Sequence, residues 1–140
     1  MVPQPPTERP LVLVVDDVPD IRLAYRMMLE ADEFRVTEAW NGASAIEILK
    51  KEKVDVVLTD LYMPGTLDGI DLVRAVRDLP APQPAVIAMS GSPHRAYRSS
   101  LQTARYVGAD AAFRKPIGRL ELVNTIRRLI GGGPALLPST

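Results

Sequence analysis

Hydrophobic residues along this chain come in short unbroken runs, separated by stretches in which they recur every three or four positions. Leu11-Val12-Leu13-Val14-Val15 is the first run. It shows no alternation, as expected of a strand covered on both faces. Pro19 suits the first turn of a helix, and Ile21, Tyr25, Met28 and Leu29 follow at helical spacing. Phe34, Val36 and Glu38 begin a second strand, and Asn41-Gly42 turns the chain into a helix with Ala45, Ile46 and Leu49 inward. Val54, Val56, Val57 and Leu58 mark a third strand. After a loop over Leu61–Leu67 the spacing predicts a helix with Leu72, Val73, Val76 and Leu79 inward, ended by Pro80, Pro82 and Pro84. Ala85–Met89 is a fourth apolar strand. Pro93 opens another helix, with Tyr97, Leu101, Ala104 and Val107 on one side and Gly108 at its end. Ala111–Arg114 is a short fifth strand, and the last helix carries Leu122, Ile126, Leu129 and Ile130 before Gly131-Gly132-Gly133 stops it.

Strands and helices that alternate in such short units require a parallel sheet with right-handed crossovers and helices on both faces. The 140 residues suffice for one α/β domain and leave no room for a second. We expect a folded domain over 11–130, a proline-rich disordered arm over 1–10 and a flexible tail over 131–140. The longest apolar run is far too short to span a bilayer. The first ten residues hold four prolines and no apolar core, so no secretory signal is read there.

Composition changes the picture in two ways. There are no cysteines, which excludes disulfide and thiol chemistry and agrees with a reducing cytoplasm. Acids and bases balance at 17 each, so no overall charge points to nucleic acid or membrane. Their distribution is uneven, however. Residues 1–90 carry 15 acids and 9 bases, whereas residues 91–140 carry 2 acids and 8 bases. Either the surface is solvated and unevenly charged, or an acidic ion site in the first part faces a basic partner surface in the second.

Ligands of open α/β sheets bind beyond the carboxyl ends of the strands. The residues ending the predicted strands are Asp16-Asp17, Asp60, Ser90 and Lys115. Taken singly each has an ordinary explanation: Asp17 as a helix cap, Asp60 as an Asx turn, Ser90 as a loop hydroxyl, Lys115 as a solvated lysine. Together they place three carboxylates, a hydroxyl and an amine on one edge. Three carboxylates without histidine or cysteine form a hard-oxygen set that suits Mg²⁺ rather than zinc or copper. One lysine and one hydroxyl then suffice to hold phosphoryl oxygens.

Val14-Val15-Asp16-Asp17, Asp60-Leu61-Tyr62-Met63-Pro64, Asp68-Gly69, Ser90-Gly91, Gly108-Ala109-Asp110 and Lys115-Pro116 resemble the receiver domains of bacterial two-component response regulators. The resemblance runs from about Leu11 to Ile130. It implies a flavodoxin-like strand order 2-1-3-4-5 and a cytoplasmic, phosphorylation-controlled switch, stand-alone or part of a longer protein. It implies Asp60 as phosphoacceptor, and Mg²⁺ held by Asp16, Asp17, Asp60 and the main-chain carbonyl of Tyr62. Lys115 and Ser90 are implied to contact the phosphoryl oxygens, and Lys115–Pro116 to be cis. The implied phosphodonor is a histidine kinase or histidine phosphotransfer protein, with a further protein target and no direct nucleic-acid or membrane contact. Such a domain catalyses only its own phosphorylation and dephosphorylation. Two other readings stay open: a receiver-like interaction module that no longer accepts phosphate, and an aspartate-nucleophile phosphohydrolase. The second normally needs aspartates two apart after the first strand, and here position 18 is valine.

Three departures from the family pattern stand out. Pro64–Gly69 holds one residue more than the commonest spacing, and Ser90–Gly108 is about three residues longer than usual. The aromatic switch residue three before the lysine is replaced by Ala112, with Phe113 one place off and expected on the opposite face. The basic partner surface is expected on Arg95, Arg98, Arg105, Arg119, Arg127 and Arg128.

Overall fold

The computed structural model describes residues 9–62, 69–91, 102–105 and 107–131. Strands β1 (Leu11–Val15), β2 (Arg35–Ala39), β3 (Val56–Asp60), β4 (Ala85–Ser90) and β5 (Ala111–Arg114) form one sheet in the order β2-β1-β3-β4-β5. Every adjacent pair is parallel. Helices α1 (Pro19–Ala31), α2 (Gly42–Lys51) and α3 (Gly69–Arg77) cross between strands, residues 102–105 belong to a further helix, α4, and α5 (Arg119–Gly131) follows the last strand. The expected flavodoxin-like topology is therefore present.

Side chains on the central strands alternate between two cores, one on each face of the sheet. Leu13, Val15, Val57 and Ala88 pack with Leu72, Val73 and Val76 of α3 and Ala104 of α4. Val12, Val14, Leu58 and Met89 pack with Tyr25 and Leu29 of α1 and Leu122 and Ile126 of α5. The run Leu11–Val15 lacks a polar face because both of its faces are covered. Ala112 lies against the first core and Phe113 against the second, so the ring is on the opposite face of the sheet from position 112, as expected.

Local chemistry sets the ends of these elements. Pro19 starts α1, and Asn41 caps α2 with Oδ1 accepting the Ser44 N–H at 2.8 Å. The end of α1 is a Schellman turn: the Glu33 N–H donates to Glu30 O and the Phe34 N–H to Leu29 O. Its left-handed position is filled by Glu33, at φ 69°, where glycine is usual. The predicted Leu79 falls past the end of α3 and is only half-buried, because the helix stops at Arg77.

Arg77 closes the amino-end edge of the sheet. Its guanidinium donates to Gly108 O (2.7 Å), Pro84 O (3.1 Å), Gln83 Oε1 (3.1 Å) and Asp110 Oδ2 (2.6 Å). The same Asp110 oxygen accepts the Val86 N–H at 2.8 Å. Gly108 adopts φ 122°, and a Cβ there would lie 2.7 Å from Arg77 Cγ. The peptide bonds Lys115–Pro116 and Ala81–Pro82 are cis.

Candidate functional site

The residues expected at the site meet at the opposite, carboxyl edge. Register brings this about. Val15 pairs with Thr59 and Asp60 with Met89, so Asp16 and Asp60 leave adjacent strands at nearly the same level. Ser90 is one step beyond Met89, and its partner Arg114 immediately precedes Lys115. The Lys115 N–H donates to Ser90 O at 2.8 Å, tying the ends of β4 and β5 together.

Asp16, Asp17 and Asp60 each offer a carboxylate oxygen within 4.8 Å of the others. Asp16 is fully buried and Asp60 nearly so, whereas Asp17 is exposed. Lys115 Nζ lies 2.7 Å from Asp16 Oδ2 and 3.2 Å from Asp60 Oδ2. Asp16 Oδ1 accepts the Val18 N–H at 3.0 Å, and Asp60 Oδ1 lies 3.4 Å from the Tyr62 N–H. The Asx-turn geometry thus falls to Asp16 and, more loosely, Asp60. Asp17 does not cap α1: Val18 is the N-cap residue, with no side-chain cap bond. Ser90 is fully buried.

Burial raises the Asp60 carboxyl above the ordinary aspartate range, and the charge of Asp16 adds to this; Lys115 and the Tyr62 N–H offset only part of it. Burial alone would lower the Lys115 ammonium, but the hydrogen bond to Asp16 and the charge of Asp60 outweigh it and raise it. Three carboxylates against one ammonium carry a formal charge of −2. That all-oxygen set and its charge fit a hard divalent cation.

Some contributors were not legible in the sequence. Gly69 lets the start of α3 approach the end of β3, for a Cβ there would lie 2.2 Å from Asp60 O and 2.5 Å from Leu61 Cα. The Asp-Gly motif pointed to the glycine but not to this contact. Buried Thr59 donates from Oγ1 to Asp60 O at 2.9 Å. Arg22, on the second turn of α1, donates to Asp16 O at 2.7 Å. Of the six arginines expected on a partner surface, Arg95 and Arg98 lie outside the described residues. Arg119 forms a two-pronged pair with Asp32, Arg127 sits over the Phe34 ring at 5.8 Å, and Arg105 and Arg128 are exposed.

The doubly wound parallel sheet thus carries an acidic cluster and a lysine together at its carboxyl edge. The model of the response regulator receiver domain matches residues 12–127. The uncharacterised 14.6 kDa protein in the sodA1 3'region of Leptolyngbya boryana is 34% identical over 119 residues, covering 84% of this chain and 87% of that protein. The transcriptional regulatory protein ResD of Bacillus subtilis is 35% identical over 124 residues, covering 89% of this chain but 49% of ResD. The chain spans about half the length of ResD and of the Streptomyces regulators CseB. Among solved structures, a response regulator receiver domain from Clostridium thermocellum is 29% identical with a TM-score of 0.79, over 87% of this chain and 94% of that one. A CheY-like receiver domain from Methanospirillum hungatei has the same TM-score, 0.79, at 22% identity over 89% and 95%, a likeness of fold.

This chain belongs to the response regulator receiver domain family. The family is that of the receiver modules of two-component response regulators. No helix among the described residues is long and apolar enough to cross a membrane.

Proposed function

We propose that Asp60 takes a phosphoryl group from the phosphohistidine of a histidine kinase or histidine phosphotransfer protein, and that the modified domain then engages a protein target. One observation carries this reading: Lys115 Nζ sits between Asp16 and Asp60, at 2.7 and 3.2 Å, within a cluster of three carboxylates. An Asp60 oxygen attacks phosphorus, the phosphorus–nitrogen bond breaks, and its electron pair returns to the leaving imidazole. Asp17, Asp16, Asp60 and the Tyr62 main-chain carbonyl would hold Mg²⁺, which when bound neutralises charge on the phosphoryl oxygens. Lys115 turns its ammonium from the carboxylates toward the same oxygens, and the Ser90 hydroxyl donates to them afterwards. The phosphoryl group adds about −1.5 to −2 charges. Repositioning of Ser90 carries that change from the end of β4 to the surface of α4, β5 and α5. The complete set of acids, hydroxyl and lysine favours this reading over a module that no longer accepts phosphate. In it the receiver unit runs over 11–130, works in the cytoplasm, and catalyses only its own phosphorylation and dephosphorylation.

Acetyl phosphate with Mg²⁺, followed by intact-mass measurement, tests the reading. The wild type is expected to gain one phosphoryl group and Asp60→Asn none; equal labelling of the variant refutes it.

A further inference from the structure

We infer that Arg22 is a positioning residue for the cation site, anchored by Glu38, and that Mg²⁺ affinity depends on both. The inference rests on the carboxylate cluster binding Mg²⁺ as proposed above. It starts from the loop between β1 and α1, which carries Asp16 and Asp17 as two adjacent acids. In the metal-free protein these charges repel each other and the nearby Asp60, so something must hold the loop in a binding shape. Asp16 is held at four points. Its N–H donates to Ala39 O at 3.1 Å, and its carboxylate accepts from the Val18 N–H and Lys115. Its carbonyl accepts from Arg22 at 2.7 Å. Pro19 has no N–H, and the N–H groups of Ile21 and Arg22 turn to Val18 O. Arg22 thus supplies from a side chain the bond that holds the peptide between Asp16 and Asp17.

The anchor is on β2. Arg22 Nε pairs with Glu38 Oε1 at 3.0 Å, and the other Glu38 oxygen pairs with Arg26. Arg22 is the more enclosed of the two arginines, with 15% of its side chain exposed against 37% for Arg26. Of the two arginines it is Arg22 that bridges Glu38 to Asp16; Arg26 extends instead to Glu30 and Val36 O. A planar fork makes two such bonds in different directions, which a lysine ammonium on a flexible stem does poorly.

Two effects oppose each other when Arg22 is removed. Loss of the bond loosens Asp16 and Asp17 and weakens cation binding, whereas loss of a nearby positive charge strengthens it. Glu38 already pairs the guanidinium at 3.0 Å, which leaves little field at the cluster. Positioning therefore outweighs charge. Groups that orient metal ligands typically change affinity by about 10- to 100-fold when removed.

The test is calorimetric titration of the full chain with MgCl₂, for the wild type, Arg22→Met, Arg22→Lys, Glu38→Gln and Arg26→Met. We expect about tenfold weaker binding for both Arg22 variants, a smaller loss for Glu38→Gln, and Arg26→Met within about twofold of wild type. Amide exchange in the metal-free protein gives an independent reading: Arg22→Lys should speed exchange at Val18 selectively over β1. Wild-type affinity in Arg22→Lys, tighter binding in Arg22→Met, or an even rise in exchange across the domain overturns the inference. Should Arg22→Met fail to fold, Arg22→Lys and Glu38→Gln decide it. Absence of Mg²⁺ binding by the wild type overturns the site assignment itself, and is seen before any variant is made.

Discussion

Replacing Gly69 by alanine adds one methyl group where the start of α3 meets the backbone at the end of β3. That carbon would lie 2.2 Å from Asp60 O, 2.5 Å from Leu61 Cα and 2.9 Å from Asp60 C, whereas real Cβ atoms essentially never come inside 3.0 Å. All three neighbours are main-chain atoms, so no side chain can swing aside. If α3 lifts by about 1 Å, the Gly69 N–H to Leu61 O bond, already 3.2 Å, is lost, and buried Leu72, Val73 and Val76 pull back from the sheet. If β3 retreats instead, the Leu61 N–H to Met89 O bond at 3.0 Å stretches and the Asp60 carboxylate leaves its place. A lost bond of about 1 kcal/mol and an overpacking penalty of about 1–3 kcal/mol give a destabilisation of about 2–4 kcal/mol. Misplacing a reacting group by about 1 Å can slow transfer about 100-fold. Urea unfolding at neutral pH and the rate of mass gain with acetyl phosphate measure the two effects. Gly131→Ala is the control, since nothing lies within 4 Å of a Cβ there, and it should match or slightly exceed wild-type stability. A Gly69→Ala protein within about 0.5 kcal/mol of wild type that labels at the normal rate refutes the close-approach argument.

Arg77→Ala should cost about 3 kcal/mol in urea unfolding, from two main-chain carbonyls left without their charged donor and a partly exposed pair with Asp110 discounted to about 1 kcal/mol. Because this staple lies at the edge away from Asp60, the folded fraction should still label normally with acetyl phosphate. Glu33→Gly should stabilise by about 0.5–1 kcal/mol in the same assay, since it relieves a left-handed residue while losing only an exposed pair with Arg9. The raised Asp60 pKa means the folded state holds its proton more tightly than the unfolded chain, so stability is lost as pH rises through the unfolded and then the folded value. With metal chelated, Asp60→Asn should therefore be more stable than wild type at pH 7, an advantage that shrinks as pH falls below the carboxylate range.

The fold was legible because β1, β3 and β4 are short apolar runs that stop at a polar residue, and those ends align once parallel register is imposed. β1 and β5 begin and end where the runs do, and Pro19, Asn41 and Gly108 mark helix ends for local steric reasons. The acidic cluster and Lys115 were legible for the same reason, as residues that terminate buried strands. Arg22, Thr59 and Arg77 were not. Their partners are largely main-chain carbonyls, which carry no sequence identity and come within reach only after the crossovers are complete. Reversing the charges of Arg22 and Arg26 on α1 would be one way to probe partner binding. Their bonds to Glu38 mean that such a reversal would disturb the fold near Asp16, so it is not a clean probe.

The unequal burial of the acids bears on how such a domain can drift over generations. Asp17 is exposed, whereas Asp16 and Asp60 are buried around one lysine. On the proposed reading, a lineage that exchanged Asp17 would give up cation binding yet keep the buried acid–lysine–acid set and its fold. One that exchanged Lys115 would leave two interior acids without a counter-charge and suffer in folding as well. Descendants that abandon phosphorylation should therefore lose the outer aspartate early and retain the lysine long after its chemistry has gone.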